Sequence, residues 1–175
     1  MDRSKQPLRH DCHYALTLVD YYSKWPEVAF TPTITTNAVI QFLATVFSKH
    51  GNCLDIVSDN GAQFTAAAFT AFLNERDITH SKSSVYYPHA NGAVERFNRV
   101  LKDCIESANQ ERKPWERYVL DFLQNYRATP HATMQSTCHS SLTALLQVTS
   151  PNLSHLHLPT ALYQLIAHSL YLGPQ

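Results

Sequence analysis

Apolar and polar positions alternate along Tyr14–Tyr21 (YALTLVDY), a segment rich in strand-forming residues, and this predicts a β-strand. Pro26 and Glu27 precede a second short apolar run, Val28–Phe30, so the two read as a hairpin around Ser23-Lys24. Thr35-Thr36-Asn37 is a helix-start cluster. Val39, Phe42, Leu43, Val46 and Phe47 then recur at helical spacing, and Gly51 supplies the stop. Leu54–Val57 predicts a short buried strand that ends at Ser58-Asp59-Asn60-Gly61. A helix over Ala66–Arg76 carries Phe69, Phe72 and Leu73 on one side, and another strand is expected near Ile78. Tyr86–Asn91 reads as a loop, followed by a long helix from about Gly92 to Asn109 with Val94, Phe97, Leu101, Cys104 and Ile105 as its stripe. Pro114 opens a further helix at its favoured position, lined by Trp115, Tyr118, Val119, Phe122 and Tyr126. The order β-β-α-β-α-β-α-α is an α/β pattern.

Composition changes this picture at the two ends. The 175 residues suit one domain, and 14 Lys+Arg against 14 Asp+Glu exclude a nucleic-acid binder held by bulk positive charge. Every charged side chain lies between Asp2 and Arg127; none follows. Exposed surfaces need charge, so the chain divides into an N-terminal segment (1–13), a body (14–134) and an uncharged tail (135–175). The tail either packs on the body as an apolar appendage or is sequence outside the ancestral domain; composition favours the second. No apolar run approaches a membrane span, and the charged N-terminus lacks the apolar core of a secretory signal. Cys12, Cys53, Cys104 and Cys138 form no CxxC pair, which points to a reducing compartment, nuclear or cytoplasmic rather than secreted.

Two carboxylates carry the candidate chemistry. Asp59 follows a short apolar strand, at the kind of strand end where α/β sheets hold ligands. Glu95 lies early in the long helix, and residues 60–94 separate the two, an interval of 35. Paired hard oxygen ligands suit Mg²⁺ or Mn²⁺, and two such ions can drive displacement at phosphorus. Taken alone, either acid reads first as structural: Asp before Asn-Gly is an ordinary turn residue, and Glu near a helix start complements the dipole.

Together, SDNGAQF, the 35-residue interval and YYPHANGAVERFNRVLK resemble the catalytic core of retroviral and retrotransposon integrases, the D,D,35,E group. VDYYSKWPEV, SKHG and NYRATPHAT resemble gypsy-type LTR retroelements in particular. The resemblance covers about residues 12–134. It implies an RNase H-like fold, a mixed sheet flanked by helices, and DNA integration by polynucleotidyl transfer at a two-metal Mg²⁺ (or Mn²⁺) site. It makes Asp59 and Glu95 catalytic and metal-binding, as second and third acids. It implies DNA contacts at Asn60, Gln63, Tyr86, Asn91, Asn98 and Lys102. Element ends and target DNA are the implied partners, in a homo-oligomer, with no membrane involved.

The same resemblance places the family's first Asp on a central first strand, with strands ordered 3-2-1-4-5. The matching position falls near Lys5 or Gln6, and Met1–His10 holds no apolar run that could fill a central strand. The first strand is therefore expected to be missing or degenerate, as in a truncated copy, with Asp2 a substitute only if Met1–Arg9 pairs in that slot. The rival reading is a catalytically inactive remnant that at most binds nucleic acid or a protein partner.

Overall fold

A computed structural model describes the backbone of residues 14–82, 88–131, 136–137 and 164–171, and the side chains of 14–82 and 94–130. The expected hairpin is present. Strands β1 (Tyr14–Asp20) and β2 (Pro26–Thr31) pair antiparallel from Tyr14↔Thr31 to Val19↔Pro26. The buried Asp20 carboxylate closes the turn, accepting from the Ser23 backbone N–H at 2.6 Å and from the Ser23 hydroxyl. Lys24 takes the left-handed conformation, with φ 58°.

Helix α1 (Thr36–His50) starts where Thr35 Oγ1 accepts the Ala38 N–H, and it stops at Gly51, whose φ of 83° favours glycine. Strand β3 (Asp55–Ser58) follows, then a single turn α2 (Ala62–Thr65), helix α3 (Ala67–Asn74) and strand β4 (Thr79–Lys82), which pairs parallel to β3. The helix expected over Ala66–Arg76 is thus shorter, and a separate turn precedes it.

Helix α4 runs over Pro88–Gln110, not from Gly92. This corrects the loop reading of Tyr86–Asn91: residues 88–91 are helical. Pro88 suits a first helical position because its missing N–H has no intrahelical partner to lose. Helix α5 (Trp115–Ala128) follows Pro114, and a short pair, β5 (Pro130–His131) with β6 (Ser136–Thr137), closes the body.

The sheet is ordered β2-β1-β7-β3-β4, where β7 is Gln164–Tyr171. It lies antiparallel to β1, from Tyr14↔Tyr171 to Asp20↔Leu165, and parallel to β3, from Asp55↔Gln164 to Ser58↔Ala167. The inner edges of β1 and β3 are therefore paired, by a strand from the uncharged stretch. Residues 1–13, and with them Asp2, lie outside the described residues.

Alternation splits the core in two. Ala15 and Val19 of β1 and Val57 of β3 pack with α4 and α5 through Val94, Phe97, Leu101, Ile105, Trp115 and Val119. Leu16, Leu18 and Ile56 pack on the other face with α1 and α3 through Val39, Leu43, Phe69 and Leu73. The result is a three-layer arrangement of helices on both faces of a mixed sheet. Among the described residues no helix is long and apolar enough to cross a membrane.

Candidate active site

Asp59 stands immediately after β3, one strand away from the sheet's centre. Its Oδ1 accepts the Gly61 N–H at 2.8 Å, an Asx-type turn that holds the carboxylate at the strand end. Glycine matters here for space, not for backbone angle. A Cβ on Gly61 would lie 2.8 Å from Asp59 Oδ1 and 2.8 Å from Gln63 Cδ, closer than real Cβ contacts allow. Asp59 and Gln63 thus fold over the bare Cα of Gly61, while Asn60 is exposed.

Beneath this turn the Ser58 hydroxyl is fully buried. It donates to the Asp59 carbonyl at 3.0 Å and lies 2.9 Å from His80 Nε2 on β4. His80 packs edge-on to Phe69, with ring centroids 5.1 Å apart. Burial, aided by the Lys82 charge, holds its imidazole below the usual histidine range. The floor under Asp59 is therefore a neutral, hydrogen-bonded support.

Glu95 is exposed on α4, within two turns of the helix start. Its neighbour Val94 is buried in the same cluster as Val57, two residues before Asp59. The strand that precedes Asp59 and the helix that carries Glu95 thus contribute to one core cluster.

Lys102, two turns further along α4, is exposed and lies 3.8 Å from Glu106 Oε1. Asn98 departs from expectation. It was placed with Lys102 on a DNA-facing side, but it is 6% exposed, and its Oδ1 has no hydrogen-bond partner among the described residues. The reason is helical phase: Asn98 is four residues after Val94 and three before Leu101, both core residues. Tyr86 lies outside the described residues. Asn91 is helical rather than in a loop, and its side chain is outside the described set.

The sequence reading missed a second polar cluster. Glu27 Oε1 accepts from Trp25 Nε1 at 3.0 Å and lies 3.0 Å from His50 Nε2, while Glu27 Oε2 is 3.3 Å from Arg127 Nη2. The guanidinium also donates to the Pro26 carbonyl at 2.7 Å and stacks 4.4 Å from the Trp25 ring. These four residues come from WPEV, SKHG and NYR, three segments far apart in the chain. These motifs are family signatures in the sequence; in the fold they are one ion-paired staple joining β2, α1 and α5.

The half-exposed Asp59 and exposed Glu95 offer hard oxygen donors, which fits a divalent cation. Among the described residues, however, no group of three His, Cys, Asp or Glu side chains could hold a metal ion.

Comparison with known proteins gives a consistent family. Residues 6–88 match the family model described as the integrase core domain. An uncharacterized protein of Caenorhabditis elegans is 38% identical over 130 residues, 72% of this chain and 10% of that protein. The Gag-Pol polyprotein of avian reticuloendotheliosis virus is 31% identical over 119 residues, 67% of this chain and 10% of the polyprotein. This chain thus spans about a tenth of the length of those relatives. Among solved structures, the catalytic core domain of BIV integrase superposes with a TM-score of 0.65 at 21% identity, covering 78% of this chain and 90% of that one. The HTLV-2 integrase catalytic core domain in complex with magnesium, in a dimeric form, gives 0.60 at 22%, covering 74% and 84%. The fold is that of the retroviral integrase catalytic cores, RNase H-like, and by its matched sequence the chain belongs to the integrase core domain family.

Proposed function

We propose that this chain is the catalytic-core segment of a gypsy-type retroelement integrase, with Asp59 and Glu95 as its metal-binding, catalytic carboxylates. The observation that supports the reading is that the strand ending before Asp59 and the helix bearing Glu95 both bury residues in one core cluster, Val57 from the strand and Val94 from the helix. A divalent ion held by such carboxylates supplies Lewis-acid activation and charge neutralisation at a phosphoryl group. The chain's own contribution is positional. The Gly61 N–H fixes the Asp59 carboxylate, and the sheet packing of α4 fixes the backbone of Glu95. On this reading Asn60, Gln63 and Lys102 contact the DNA. Element ends and target DNA are the substrates on this reading, and a homo-oligomer is the working form.

A second reading, an inactive remnant that binds nucleic acid, draws on one observation. The strand at the sheet's centre, QLIAHSLY, contains no carboxylate. A strand-transfer assay with pre-cut element-end DNA and Mn²⁺, using Glu95→Gln as control, separates the two. Turnover abolished by that substitution supports the active enzyme. Metal-independent DNA binding without turnover supports the remnant.

A further inference from the structure

The support beneath Asp59 comes from the far face of the sheet. Side chains alternate along β3: Val57 packs in the cluster under α4, whereas Ile56 packs with α1 and α3. Ser58 shares the face of Ile56. So does His80, which stands opposite Ile56 in the parallel pairing of β3 with β4. The imidazole lies edge-on to Phe69 of α3. From there its Nε2 is 2.9 Å from the Ser58 hydroxyl, and that hydroxyl is 3.0 Å from the Asp59 carbonyl.

Proton counting decides what this row of groups can do. A serine hydroxyl has one proton to give, and a neutral imidazole has one N–H. Burial and the Lys82 charge hold His80 below the usual histidine range, so the ring is neutral at neutral pH. With the proton on Nε2, His80 donates to Ser58 Oγ and the hydroxyl donates onward to the Asp59 carbonyl. With the proton on Nδ1, Nε2 and the carbonyl compete for the single Ser58 proton, and one acceptor goes without. Ser58 is fully buried, where an unmade hydrogen bond is costly. The first arrangement satisfies every group in the row.

The Asp59 carbonyl belongs to the peptide that leads into Asn60. Two residues on, the Gly61 N–H donates to Asp59 Oδ1 at 2.8 Å. Asp59 is thus held at its carbonyl and at its carboxylate. Rotating the peptide between them would swing the Gly61 N–H away.

We propose that His80 is a positioning residue for Asp59: its Nε2–H orients the Ser58 hydroxyl, which fixes the Asp59 carbonyl and so the turn that aims the carboxylate. The inference rests on the metal-binding role proposed above for Asp59 and extends it to a group on the opposite face of the sheet. Groups that orient a metal ligand from outside the coordination sphere matter to affinity nearly as much as the ligand does.

Two measurements on the full chain test this: nitrogen-15 NMR of the imidazole at neutral pH, and Mn²⁺ titration followed by electron paramagnetic resonance. The NMR should find His80, assigned by the signal lost in His80→Gln, as the Nε2–H tautomer. The Nδ1–H tautomer would overturn the proposal, and this arm needs no folded variant. His80→Phe keeps a ring against Phe69 but has no N–H, and should weaken Mn²⁺ binding about tenfold. His80→Gln restores an N–H donor and should recover most of that loss; a Gln variant as weak as the Phe variant would mean the ring only fills space. His80→Phe combined with Ser58→Ala should bind no more weakly than Ser58→Ala alone, because His80 acts through Ser58. Circular dichroism checks the fold of each variant. Binding lost in Asp59→Asn but intact in His80→Phe overturns the His80 inference and leaves the Asp59 assignment standing. Binding intact in Asp59→Asn sinks the Asp59 assignment itself.

Discussion

Glu27 shows how a single side chain can bind three distant segments. Burial alone would raise its carboxyl pKa, but hydrogen bonds from Trp25 and His50 and the charges of Arg127 and Lys49 outweigh that and hold it below the usual glutamate value of 4.5. A carboxylate depressed in the folded state contributes stability that is present above its unfolded pKa. That contribution is lost as pH falls from about 4.5 through the lower folded value. Glu27→Gln should therefore flatten the acid limb of the stability curve below pH 4.5, read from urea midpoints between pH 6 and about 3. Arg127→Met leaves Glu27 without its cation and the Pro26 carbonyl without its donor. It should destabilise by about 1–3 kcal/mol at neutral pH, and an unchanged melting curve would show that the staple contributes nothing net. Gly61 offers a complementary test at the candidate site. Gly61→Ala forces Asp59 and Gln63 apart, so it should weaken divalent-metal binding with little loss of global stability, whereas equal losses in both would mark the turn as purely structural. Cys53 is buried, which pushes its thiol up to about 12, so it should resist thiol reagents at pH 8 in the native state and react on unfolding.

At the scale of elements, much of the body was legible because each element announces itself locally. Alternation from Tyr14 predicted β1; the Thr35 cap and Gly51 stop bounded α1; the apolar stripe from Val94 to Ile105 identified α4. The start of α4 was misplaced because His89-Ala90-Asn91-Gly92 carries turn residues, and local propensity gave way to the helix that Pro88 opens. The Glu27 staple was not legible, since its partners are joined only by the tertiary fold and no periodicity connects His50 with Arg127. The candidate site was legible in part: motif and interval singled out Asp59 and Glu95, but the burial of Asn98 depends on helical phase against the sheet. Strand β7 went unread because the whole uncharged stretch was weighed by composition. Its apolar stretches Leu165–Ala167 and Leu170–Tyr171, followed by Gly173-Pro174, were the available signal. The pairing makes a sharp prediction. Ala167→Pro removes an N–H from a strand bonded on both sides, which central strands do not tolerate, and should cost about 3 kcal/mol. The same proline in a segment unpaired to the body would leave the melting temperature unmoved.

At the scale of the whole molecule, charge constrains how DNA could be held. Fourteen basic and fourteen acidic side chains cancel, so long-range attraction to a phosphate backbone is weak and any affinity must come from local arrangement. The exposed side of α4 provides one: Arg96, Arg99 and Lys102 recur every three residues and all are exposed, beside Glu95. Asp103 and Glu106 interrupt the row, and Lys102 is within 3.8 Å of Glu106. If this row carries the DNA contact of the proposed function, few phosphates are neutralised. The slope of log K against log salt should then be shallow, about −0.9 for each phosphate contacted on duplex DNA. Reversing Arg96 and Arg99 to Glu should abolish most duplex binding, and Lys102→Ala should reduce the slope by about one contact. Because these side chains are exposed, the substitutions should leave thermal stability within about 0.5 kcal/mol, so lost binding would not reflect unfolding. Fluorescence anisotropy on a labelled duplex across a salt series measures the affinities and slopes, and thermal melts of the variants measure the stability. A steep slope that survives the reversals would place the contact elsewhere on the molecule.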